Sequence, residues 1–242
     1  MQIRLNSIFA IALIWLLISS CDSSHLDSTG KIRWKVNLKN QGNEFYLDSL
    51  YANEIGQKYL VDVFKVYLSN FKLFGSMTNE HTMNEYKLLS AADSTSLIFE
   101  TPRIPLGSYH TIEIAIGVDS AANHSTAHVG DLSPTNDMAW NWNTGYKFVK
   151  LEGYFLPEGG GEKPLIYHIG EDRNFTYVRL QLIDPIVVDF DKTPTVEVDL
   201  NIDQLFYNPY IVDFTKVNES MVGPYSDSIA MNFKNGFLTL GL

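Results

Sequence analysis

Residues 32–38, IRWKVNL, set Ile32, Trp34, Val36 and Leu38 at every second position, with Arg33, Lys35 and Asn37 between them. A period of two is the signature of a strand with one buried face. The device recurs at Ile112, Ile114 and Ile116, between Thr111, Glu113 and Ala115, and again at Val196, Val198, Leu200 and Ile202. Residues 61–74, VDVFKVYLSNFKLF, are rich in β-branched and aromatic side chains and predict one long bent strand or two. Residues 146–155, 165–169 and 175–182 complete the set, and PEGGGEKP at 157–164 reads as a hairpin connection between two of these strands. Helical signal is weak: one turn over 203–207 and a short helix over 226–237. Many closely spaced strands with little helix predict an all-β fold, an antiparallel β-sandwich with long loops.

The first twenty residues read as a lipoprotein signal peptide. Arg4 supplies a positive start, residues 8–18 a short apolar core, and Ile18-Ser19-Ser20-Cys21 ends in small residues before a cysteine. An apolar run this short is a signal core rather than a membrane span. Cys21 resembles the acylated cysteine of a bacterial lipobox, and it is the only cysteine in the chain, so no disulfide is expected. Residues 21–30 then form a flexible polar tether, and 31–242 suit one large all-β domain. The net charge of −10 argues against nucleic acid as a partner.

No G-x-S-x-G, H-E-x-x-H or P-loop is present, and the chain is expected not to be an enzyme. Asp189, Asp191, Glu197 and Asp199 invite a calcium reading, but Glu197 and Asp199 alternate with Val196, Val198 and Leu200 and read as a solvated strand face. The informative segment runs from 119 to 152. It is polar, punctuated by Gly130 and Pro134, and holds His124, His128, Met138, Trp140 and Trp142. Segments of this kind inside compact domains are usually functional or disordered. Two tryptophans one residue apart are costly to leave in water, which favours order. Imidazole and soft ligands in an ordered loop point to a copper-type site. Of the other histidines, His25 and His81 read as solvated, and His110 as partly buried on its strand. His168 closes the apolar run Leu165-Ile166-Tyr167-His168 before Ile169 and Gly170.

Gly117-Val118-Asp119, Asn123-His124-Ser125 and the stretch MAWNWNTGYKF at 138–148 together resemble the MbnP-like copper-binding family. So do FKVYLSNFKL at 64–73, IPLGSYH at 104–110 and YHIG at 167–170. The resemblance spans nearly all of the chain after the tether. It implies a secreted or lipid-anchored β-sandwich of the cell envelope, on the periplasmic face or outer surface, that binds copper for handling or uptake. By motif it assigns His124 and His168 as metal ligands, with Trp140 and Trp142 as the paired tryptophans, one of them oxidised to kynurenine. His128 is a weaker candidate. The implied partners are a di-haem MauG-like peroxidase, a TonB-dependent transport system and the membrane through lipid at Cys21. Two alternatives remain open: a metal-free adhesion or scaffold lipoprotein, and a carbohydrate-binding sandwich using the tryptophans as a stacking platform.

Overall fold

The computed structural model describes residues 29–75, 80–125, 129–140 and 145–241. Cys21, His25, His128 and Trp142 lie outside these, as does the expected signal peptide. The chain runs through β1 (Thr29–Asn40), β2 (Asn43–Glu44), β3 (Tyr51–Ala52), β4 (Lys58–Gly75) and β5 (Glu80–Ser90). Next come β6 (Ile98–Pro105), β7 (Gly107–Ile116), α1 (Ser120–Asn123), β8 (Lys147–Leu156), β9 (Lys163–Gly170) and β10 (Thr176–Val188). It ends with β11 (Thr195–Asn201), β12 (Glu219–Ser220), α2 (Pro224–Met231) and β13 (Leu238–Leu240).

The alternating stretches become half-buried strands. Ile32, Trp34, Val36 and Leu38 of β1 and Val196, Val198 and Leu200 of β11 face inward. On the other face Lys35 pairs with Glu197 at 3.0 Å, and Asn37 donates to Asp199 at 2.9 Å. Those carboxylates are therefore a solvated strand face. Around β1 lies a sheet of β13, β11, β1, β2 and β6. It packs on a larger sheet of β10, β7, β4, β8, β9 and β12, with β3 and β5 also on β4. Trp34 links the layers: its ring centroid lies 5.0 Å from that of Phe71, and its indole N–H donates to Thr101 Oγ1 at 2.9 Å.

The sandwich is not wholly antiparallel. β1 and β11 run parallel from Arg33–Thr195 to Lys39–Asn201, and β9 and β12 pair in parallel over two residues. Side-chain alternation identifies a strand's faces but carries no direction. Residues 80–90 form a strand that the sequence did not announce. His81 lies on it, opposite Leu73, half-buried rather than solvated in a loop. α2 begins at Pro224 and ends at Met231, followed by a short 3-10 turn, in place of a helix over 226–237. Among the described residues, no helix is long and apolar enough to cross a membrane.

β4 organises the larger sheet. β5 occupies one of its edges over Lys65–Phe74. β7 pairs with Leu68–Gly75 and β8 with Lys58–Val66, so these two lie end to end along the opposite edge. Asn70 marks the bend in β4: its φ is +47°, and the register with β5 shifts between Ser69 and Phe71. A single residue in the left-handed region inside a strand is the geometry of a bulge. The segment between β7 and β8 leaves the sheet at this junction and folds back over its outer face.

Candidate functional site

The returning segment is held by a second, smaller core. Tyr67 of β4 and Phe148 of β8 point outward and pack with Val118, Leu132, Met138 and Tyr146. Tyr67 donates its hydroxyl to the Asp131 carbonyl at 2.8 Å, and Tyr146 to the Leu132 carbonyl at 2.7 Å. Each large apolar side chain buried this way contributes about 1.5–3 kcal/mol, enough to hold an otherwise polar segment in place. The family-like Gly117 belongs to the same packing. Its φ is +110°, and a Cβ there would lie 2.5 Å from the Phe148 ring.

Met138 and Trp140 stand on one arm of a narrow hairpin. The Trp140 N–H donates to the Gly145 carbonyl at 3.0 Å, and the Lys147 N–H to the Met138 carbonyl at 2.7 Å. The indole lies against β9 because position 170 is glycine. A Cβ there would sit 2.9 Å from Trp140 Cζ2 and 2.5 Å from the Tyr146 carbonyl oxygen. Two residues back on the same face is His168, buried, with its ring centroid 6.2 Å from the indole. Trp140 is only 7% exposed, so it offers no open stacking platform to a sugar.

His168 Nε2 lies 2.7 Å from Glu152 Oε1. An ionised carboxylate only accepts, so Nε2 carries the proton and Nδ1 keeps its lone pair. Burial pushes the His168 pKa down, against the opposing pull of Glu152. The imidazole is therefore neutral near pH 7. Glu152 also meets Lys150 at 3.4 Å, and Lys150 is paired with Asp137. Lys147 sits 5.6 Å from the Trp140 ring and donates to the carbonyls of Asp137 and Ala139 at 3.3 and 3.1 Å. Its pKa is lowered by burial, with Asp137 acting against the shift. Lys65 donates to the Asn136 carbonyl at 2.9 Å. Buried charges must be paired or hydrogen-bonded. Three lysines on one sheet face thus fasten the loop carrying Trp140.

His124 closes α1 at the same sheet junction. Its Nε2 lies 3.0 Å from Asp172 Oδ2, in the turn just after β9. Asp172 also accepts from Ser120 Oγ at 2.5 Å and Asn123 Nδ2 at 2.6 Å. Burial alone would raise the Asp172 pKa, but these donors outweigh it and hold the carboxyl below its usual range. Asn123 in turn accepts from the Tyr146 N–H at 2.8 Å. At the start of α1, Asp119 caps the helix, accepting from Ala121 N and Ala122 N, and it also takes bonds from Asn70 and Tyr86.

The structure thus brings Trp140 and His168 together, and sets His124 on Asp172, two positions beyond Gly170. Each histidine has its own carboxylate. Among the described residues, no three His, Cys, Asp or Glu side chains gather as a metal site. Sequence reasoning missed Glu152, Asp172, Lys147 and Lys150. Asp172 stands four residues past His168, but Lys147 and Lys150 look like ordinary outward strand residues, with nothing local to mark their burial.

The family model for MbnP matches residues 29–222, well over half of the chain. The chain belongs to the MbnP family. Its structure is similar to that of MbnP from Methylosinus trichosporium, with a TM-score of 0.51 and 18% identity over 80% of this chain and 83% of that one. At that identity the likeness is one of fold. A search of curated proteins gives no match. The MbnP match takes in every described candidate residue and stops before α2.

Proposed function

We propose that this MbnP-family chain binds copper in the cell envelope through His168 and His124, with Trp140 beside His168. It would handle the ion without turning over a substrate. The observation that carries this reading is that His168, on β9, and His124, held by Asp172 just after β9, are each backed by a carboxylate. Metal-binding histidines characteristically donate one ring N–H to a carboxylate, which fixes the tautomer and leaves the other nitrogen for the ion. Glu152 does this for His168, and Asp172 for His124. Imidazole suits copper, and Cu(I) is satisfied by few ligands. The donor set therefore fits the ion that the sequence resemblance implies. Oxidation of Trp140 or Trp142 to kynurenine by a di-haem peroxidase would add an aromatic amine and a ketone where indole has only an N–H donor. Acylation at Cys21 would keep the protein at the membrane, near a TonB-dependent system for uptake.

Competition titration of the full chain with a chromophoric copper chelator tests the reading. His168→Ala and His124→Ala are each expected to weaken binding at least tenfold, and Glu152→Gln by about tenfold. The metal-free scaffold remains the second reading, because Asp172 and Glu152 already engage both imidazoles within the fold. It requires that the wild type fail to compete with the chelator for copper, and that the three variants lose stability alone.

A further inference from the structure

The most exposed large apolar side chains near one end of the sandwich are Ile183, Val187 and Phe190, at 87%, 58% and 67%. Ile183 stands in the stretch 182–185 that bulges from the sheet edge where β10 breaks register with β7 between Gln181 and Ile186; Val187 follows on the strand, and Phe190 lies just past its end. The first residues of β1 run against the end of β10. A Cβ on Gly30 would lie 2.6 Å from the Asp189 carbonyl oxygen and 2.7 Å from Val188 Cγ1. Thr29, Gly30 and Phe190 line one surface depression, together with Lys31, Arg103 and Lys192.

We infer that Ile183, Val187 and Phe190 form a bilayer-contacting face that sinks into the lipid interface when the chain is anchored at Cys21. The inference rests on the lipid-anchor reading for its geometry. Eight residue steps separate Cys21 from Thr29 and span at most about 26–29 Å, so this end of the sandwich is the one held near the membrane. Exposed apolar side chains that fall together mark protein or membrane contacts, and these three fall within eight residues at one strand end. Asp184, Asp189 and Asp191 balance Lys31, Arg103 and Lys192, and Glu100 also pairs with Lys31 at 3.6 Å. The contact is therefore apolar and does not depend on anionic headgroups. A consequence follows for the candidate site. β7 runs from Gly107, at this end, to Ile116, just before α1. Its length, roughly 30 Å, sets how far His124 stands from the bilayer.

The test uses full-length acylated protein carrying Phe190→Trp, or Ile183→Trp as a second reporter, in vesicles with brominated acyl chains. Both positions are exposed, so neither change disturbs the core. Quenching of more than half of the added emission is expected, equally in phosphatidylcholine and in mixtures with phosphatidylglycerol. No quenching of either reporter in protein shown by intact mass to be acylated overturns the face and leaves the anchor standing. Protein that proves unacylated overturns the anchor and, with it, the geometry on which the face rests. Quenching only with phosphatidylglycerol contradicts the apolar contact.

Discussion

At the scale of single residues, His168 carries the chemistry that pH can read. Burial lowers its pKa below the ordinary value, so the folded protein resists a proton that the unfolded chain accepts. Its contribution to stability is therefore complete above about pH 6.5 and is lost as pH falls toward the folded value. His81 is shifted in the same direction, also by burial, so the wild-type curve alone does not isolate His168. The difference between wild type and His168→Gln does, since glutamine can still donate to Glu152. Urea midpoints from pH 8 to pH 5 are expected to fall more steeply for the wild type. Parallel curves would show that His168 takes no part in the linkage. The neutral imidazole was not legible in the sequence. The run Leu165 to His168 indicates burial, but the acceptor Glu152 comes from the neighbouring strand.

At the scale of elements, α1 shows how little helix is needed to fix a site. It has four residues, too few to stand alone. It persists because Asp119 caps its start and Asp172 grips Ser120, Asn123 and His124. Asp119→Ala removes the cap and leaves the Tyr86 hydroxyl and the Asn70 amide without that acceptor. A loss of about 2 kcal/mol or more is expected in chemical denaturation, from the cap and the orphaned donors. A change below about 0.5 kcal/mol, the range of ordinary surface substitutions, would mean that α1 is fastened elsewhere. The elements themselves were unevenly readable. β1, β7 and β11 alternate cleanly and form as expected. β5, EHTMNEYKLLS, is polar and weakly patterned, and its strand state comes from pairing along β4.

At the scale of the whole molecule, one sheet is covered on both faces: by the opposing sheet inside, and by the segment between β7 and β8 outside. The all-β class was legible because apolar alternation repeats along the chain. The parallel pairing of β1 with β11 was not, since strand direction depends on how the chain crosses between layers. The placement of the loop around Trp140 was legible in part, through an indole too apolar for solvent. The lysines that fasten it were hidden by their ordinary sequence context. The central claim is that this junction binds copper through His168 and His124. Copper K-edge X-ray absorption on the copper-loaded full chain tests it most directly. The wild type is expected to show scattering from two imidazoles, falling to one in His168→Ala and in His124→Ala. A wild-type spectrum without imidazole scattering, or one unchanged in both variants, would contradict the claim.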